Sequence, residues 1–341
     1  MSEFLLELYS EEIPPQLQIN ARTQLKQQLE KSFEEEGIQH KECLEYSSPT
    51  RLSIYIKSLP EKIKIKAKEI KGPKVGVPEN ILQGFTNSRN VSKKDLFKKE
   101  TEKGEFYFIK TAEKNILVED LLTSILPKAM SLISWKKSMK WSTNNLTWGR
   151  PLRSIFAIFN GKKLPFKYEH LESTDKIIIE QDLITKSQRI RSFKEYFSHL
   201  KSNKIVIDHN ERQKIILKKF NLVSKSNNYK ESYNQRLLEE VVNIVEDPNV
   251  LLINFDKEYL KIPQEIIIST LEKHQRYFPI FDSRERLTNY FFVVANKKDE
   301  KKLITEGNKR VVDARLSDAK FFWEKDRSKN LIKQIANLKT I

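Results

Sequence analysis

Residues 4–37 read FLLELYSEEIPPQLQINARTQLKQQLEKSFEEEG, and their patterning decides the fold class. The apolar, strand-forming run FLLELY (4–9) is stopped by Pro14-Pro15, whose fixed φ suits the first turn of a helix. Leu17, Ala21, Leu25, Leu29 and Phe33 then recur every four residues, which predicts a helix with one buried stripe, ended by Gly37. Outward from this strand–turn–helix unit, RLSIYIKSL (51–59) and IKIKAKEI (63–70) predict two strands. The second alternates Ile or Ala with Lys, and its lysines read as the solvated face of a half-exposed sheet. Past the loop GPKVGVPEN (72–80), a short helix and a strand at 105–112 (EFYFIKTA) are expected, then a helix over 117–135 interrupted or restarted at Pro127.

Residues 161–232 read as a separate small unit, with strands at 164–168, 176–181 and 204–208 (KIVID) and a helix carrying Phe193, Tyr196, Phe197 and Leu200. The polar stretch 224–234 is the expected boundary loop. Beyond it come a helix at 235–246, a turn at Asp247-Pro248-Asn249, the strand VLLINF and a helix opened by Pro263 with Ile266, Thr270 and Leu271 inward. A hairpin turning at Asp282–Arg286 leads to a long helix over 299–329, whose stripe is Val312, Leu316, Ala319 and Trp323. The expected architecture is α+β, or mixed α/β, with mixed sheets packed by helices in three domains: 1–160, 161–232, and 233–341 packing with the first.

The chain has 341 residues, enough for two or three domains, and a formal charge of +16. Lysines outnumber arginines 47 to 15 beside many Ile and Asn residues, a bias that either compositional drift or selection for binding can produce. Charge therefore marks a binding surface only where it concentrates beside aromatics. The glycines, at 37, 72, 76, 84, 104, 149, 161 and 307, support no dinucleotide loop, P-loop or nucleophile elbow. One cysteine, Cys43, and five histidines with no two at helical ligand spacing offer no zinc site. Asp313, Asp318 and Asp326 do not align as metal ligands, and Glu11-Glu12 read as complements to the start of the following helix. The opening MSEFLLELYSEE is acidic where a secretory leader is basic, and no apolar run approaches a membrane span, so a cytoplasmic protein without membrane attachment is expected.

Two segments concentrate cations beside aromatics. In WKKSMKWSTNNLTWGRPLR (135–153), Lys136, Lys137, Lys140, Trp141, Arg150 and Arg153 can pair with phosphates and stack on bases. Taken singly, Trp135, Trp141 and Trp148 are packing residues; the segment as a whole is the candidate basic face. In EKHQRYFP, Lys273, His274 and Arg276 form a second candidate group. Arg310, Lys320 and Lys325, interspersed with Asp313 and Asp318, read as the solvated side of the last helix.

Several segments together resemble the beta subunit of the bacterial heterotetrameric glycyl-tRNA synthetase. They are FLLELYSEEIPP (4–15), SPTRLSIYI (48–56), KGP (71–73), MKW and WGRPLRSIFAI (139–158), LLEEVVNIVEDP (237–248), IPQEIIISTLEKHQRYFPIFD (262–282) and GNKRVVDARLSDAKFFWEKDR (307–327). The resemblance implies a subunit that contacts tRNA(Gly) and pairs with a separate alpha subunit in an alpha2-beta2 ligase. It further implies that ATP and magnesium serve the alpha subunit, with no cofactor, metal or catalytic residue in this chain. The sequence departs from the family pattern at 171–193, which lacks a Gly-His-Arg-Phe-like run, and at Lys309, where an acidic residue is usual. Family members continue past the point matching NLKTI (337–341) into HD-type and anticodon-binding domains, so the expected coverage is the N-terminal portion. The competing expectation is a free-standing RNA-binding or partner-binding module without a synthetase role.

Overall fold

The computed structural model describes residues 2–65, 69–89, 91–102, 104–110, 113–181, 184–230 and 233–328. The strand Ser2–Ser10 is the middle of a seven-stranded sheet, flanked antiparallel by Leu152–Phe159 and Arg51–Leu59. Cys43–Ser48 closes one edge; Leu171–Thr174, Lys167–Tyr168 and the short Lys162–Lys163 complete the other side. Because successive side chains alternate faces, Phe4, Leu6 and Leu8 enter one core and Leu5 another. The helix Pro15–Glu36, through Leu17, Ala21, Leu25, Leu29 and Phe33, covers the first face together with the helix Val118–Ser131. Gly37 ends the first helix at φ 71, the left-handed conformation its position requires. The hairpin Lys176–Gln181/Ile184–Arg189 and the helix Phe193–Ser202 cover the second face, so the central strand is buried on both sides.

Further along, Asn249–Asn254, Leu287–Ala295 and Phe278–Phe281 form a three-stranded antiparallel sheet. On one side lie the helices His209–Asn227 and Gln235–Val242, through Ile216, Phe220, Leu238 and Val241. On the other lies the long helix Leu303–Arg327, through Val312 and Leu316, with Ala319 and Trp323 half-buried. The α+β architecture, with mixed sheets packed by helices, is therefore the observed one.

Four local expectations need correction. The helix at 118–131 runs through Pro127 without a break, because Ile125, Leu126, Ala129 and Met130 are buried and packing outweighs the lost hydrogen bond. The segment 204–208 is not a strand. Ile205 and Ile207 are buried, but the backbone is used otherwise: Val206 N–H donates to the Glu246 carbonyl at 2.9 Å, and the Val206 and Ile207 carbonyls accept from Arg212. The polar stretch from 224 is helical to Asn227, where Asn228 at φ 55 terminates it. The lysine-alternating segment is two strands, Lys62–Ile65 and Glu69–Lys74, in different small sheets, with 66–68 outside the described residues. The tail of the strand expected at 105–112, the end of the helix expected at 329 and the NLKTI terminus also lie outside them.

Candidate nucleic-acid interface

The segment after the helix Val118–Ser131 is built around its tryptophans. Trp148 is fully buried, with Trp135 tilted against it at 4.9 Å and Tyr168 edge-on at 6.1 Å. Gly149 permits this approach, since a Cβ there would overlap the Trp135 ring. A two-rung ladder joins Met139–Lys140 to Thr147–Trp148, with Leu146 buried in the first core. Trp141 is half-buried on the first core, its ring edge-on to His170 at 6.3 Å. Lys136, Lys137 and Lys140 are exposed, and none has an ion-pair partner among the described residues. Exposed lysines close in sequence to an aromatic ring can neutralise phosphates while the ring offers a stacking face.

The two arginines of this segment differ from its lysines. Arg150 is half-buried beside Gly149. Arg153 is committed within the chain: it grips Glu180 with two hydrogen bonds of 2.7 and 2.6 Å, lies 3.4 Å from Glu11, and its guanidinium stands 5.4 Å from the Tyr9 ring centroid. The Arg153 bonds, opposed by some desolvation, hold the Glu180 carboxyl below its ordinary value. Burial and the hydrogen bond to Glu180 together raise the Tyr9 hydroxyl well above the usual phenol range. Glu11 thus faces Arg153 across the sheet end rather than serving only the adjacent helix.

The second group belongs to a different core. The helix Gln264–Ser269 continues as one π-helical turn, Thr270–His274, which leaves Lys273 and His274 exposed. Arg276, at φ 58, turns back to ion-pair with Glu240 at 2.6 Å, and Tyr277 is anchored by Asn308. Among the described residues no hydrogen bond or ion pair joins this group to residues 136–153.

A third cluster, not anticipated from the sequence, explains where the segments quoted above meet. Glu7, alone among apolar neighbours in the central strand, is buried beside Arg51 at 3.2 Å and accepts from the Tyr196 hydroxyl at 2.7 Å. Arg51 also faces Glu246 at 3.5 Å and donates to the Ile178 carbonyl. Ser48 donates to Glu246 at 2.6 Å. Asn243 accepts from Gln18 at 2.7 Å and from Arg22 at 3.3 Å, while Arg212 donates to the Val242 carbonyl at 2.8 Å. Burial pushes the Glu7 carboxyl above its ordinary value while Arg51 and Tyr196 pull it back. The signal was available: a single acid inside FLLELY and an arginine opening the next strand are both expensive unless paired. The arrangement is a structural knot of mostly enclosed charges.

Among the described residues, no group of three or more His, Cys, Asp or Glu side chains could hold a metal ion, and no helix is long and apolar enough to cross a membrane.

Comparison with known proteins places the chain among subunits of aminoacyl-tRNA synthetases: the family model described as "Glycyl-tRNA synthetase beta subunit" matches residues 4–341. The curated glycine–tRNA ligase beta subunit of Rickettsia felis is 35% identical over 346 residues, covering 100% of this chain and 52% of that relative. Its counterparts in Rickettsia peacockii and Rickettsia prowazekii are 36% and 35% identical, each covering 100% of this chain and 51% of theirs. The chain belongs to the glycyl-tRNA synthetase beta subunit family. It spans about half the length of the curated relatives it matches.

Proposed function

We propose that this chain is the tRNA-contacting, partner-binding front half of a glycine–tRNA ligase beta subunit, working in the cytoplasm. In this reading a separate alpha subunit holds glycine, ATP and magnesium in an alpha2-beta2 enzyme, and this chain supplies no catalytic residue and no cofactor. The observation that carries it is the family match along residues 4–341, whose signature segments build a scaffold while Lys136, Lys137 and Lys140 stay uncommitted beside Trp141. Positioning is a real catalytic contribution, because holding the tRNA end near activated glycine turns a bimolecular encounter into an intramolecular one. Lys136, Lys137, Lys140 and Arg150 would neutralise phosphates and Trp141 would stack; Lys273 and His274 offer a second contact. Arg153 and Arg276, each paired with a carboxylate and still part-exposed, would complete the two contacts.

The test is co-purification with the alpha subunit, followed by glycylation of tRNA with the remaining half of the beta subunit supplied. Association with alpha and a gain in glycylation over alpha alone are expected. If neither occurs while RNA binding persists, the free-standing RNA-binding reading replaces this one.

A further inference from the structure

Outside the principal sheet, Glu69–Lys74, Gly104–Lys110 and Leu96–Thr101 form a three-stranded antiparallel sheet with Gly104–Lys110 in the middle. Directly opposed residues of an antiparallel ladder share a face. The register therefore gathers Glu69 and Lys110, then Lys71, Phe108 and Phe97, then Lys74, Phe106 and Lys99, on one face. The helix Glu79–Arg89 lies against this sheet through Phe85, whose ring fills the space a side chain at Gly72 would need. On the aromatic face Phe108 is buried, with Phe97 stacked near it at 6.0 Å, and Phe97 and Phe106 remain half-exposed. The Lys71 ammonium stands 3.5 Å from the Phe106 ring centroid. Lys99 is 5.7 Å from the Phe108 centroid and pairs with Glu69 at 2.6 Å. Four lysines against one acid thus frame three rings.

We propose that this face binds an unpaired RNA strand, with bases stacked on Phe97 and Phe106 and phosphates met by Lys71, Lys74 and Lys110. The choice of RNA rests on the proposed tRNA-contacting role; the surface and the unpaired state of the strand do not. A duplex hides its bases and has no use for half-exposed rings, whereas an unpaired strand presents a π-face at every nucleotide. An acidic peptide would use the lysines and leave the rings idle. Lys71 holds the place a base would take: a base settling on Phe106 displaces the ammonium from the ring and leaves it beside the adjoining phosphate.

The test is binding of labelled oligouridylate and of a tRNA transcript, read by fluorescence anisotropy. Phe97→Leu with Phe106→Leu keeps apolar volume and removes the rings; it should weaken oligouridylate binding about tenfold or more, with an unchanged circular-dichroism melt. Phe106→Trp should retain binding and gain a tryptophan emission that oligouridylate quenches. The Leu pair should weaken oligouridylate binding by the same factor in wild type and in the Lys136→Ala, Lys137→Ala, Lys140→Ala background, so this proposal and the role of that segment in tRNA binding can fail separately. Wild-type oligouridylate affinity in the Leu pair, no added quenching in Phe106→Trp, or equal competition by polyglutamate in wild type and the Leu pair would each overturn it.

Discussion

The knot around Glu7, Arg51 and Glu246 and the open segment around Lys136, Lys137 and Lys140 are both charged, and they use charge in opposite ways. In the knot every charged side chain faces a partner, and arginine supplies all the cations. In the open segment the cations are lysines, exposed and without ion-pair partners. A planar, weakly hydrated guanidinium suits enclosed, multidentate contacts, while a flexible ammonium suits surface phosphates. In these two regions, then, arginine builds the enclosed contacts and lysine holds the exposed, unpaired positions, the ones the proposed RNA contacts use.

The sharpest break is Arg51→Ala, which leaves Glu7 and Glu246 enclosed without their shared cation. A loss of about 3–5 kcal/mol is expected, read as a fall in the urea midpoint. Arg51→Met combined with Glu7→Leu should regain part of it, since the unmatched charge at Glu7 is gone while Glu246 keeps the Ser48 hydroxyl as donor. On the open side, Lys136→Ala, Lys137→Ala and Lys140→Ala together should leave the urea midpoint unchanged and flatten the salt dependence of tRNA binding by about 2–3 in log–log slope. An unchanged slope would remove this segment from the RNA surface.

Gly149 tests the support beneath that surface. Gly149→Ala must displace the Trp135 ring, at about 1–3 kcal/mol. Gly307→Ala, in a helix with open space around it, should stabilise by about 0.5–1 kcal/mol. Thermal melts of the two variants should therefore move in opposite directions.

The smallest effect lies at His209, at the rim of the knot. Burial, reinforced by Arg22 and Arg212 and opposed by Asp208, lowers its pKa from 6.5 to about 4. Its proton is bound more tightly in the unfolded chain, so its contribution is fully present above pH 6.5 and is lost as pH falls toward 4. His209→Gln should reduce the drop in urea midpoint between pH 7 and pH 5 relative to wild type.

What was legible in the sequence was local. FLLELY followed by Pro14-Pro15, and the spacing of Val312, Leu316, Ala319 and Trp323, carry their structure in their own periodicity. KIVID misled because Ile205 and Ile207 satisfy a strand pattern while their backbone serves Arg212 and Glu246, partners that no local pattern reveals. The hold of Arg153 on Glu180 spans 27 residues of sequence, so nothing near Arg153 in the chain shows that this cation has an internal partner. The lysines at 71, 74 and 99 were hardest to read, since Lys74 falls in the stretch expected as a loop and Lys71 and Lys99 stand outside the alternating segment 63–70. Only the cross-strand register brings their phenylalanines beside them.

The knot also sets a schedule for synthesis. Ser48 and Glu246 are 198 residues apart, so at ribosomal rates the first sheet waits roughly 10–40 s before the acid that completes its polar cluster is made. During that interval Glu7 is the one carboxylate of the cluster available to Arg51, and the paired strands Ser2–Ser10 and Arg51–Leu59 await the acid that ties them to the later part of the chain.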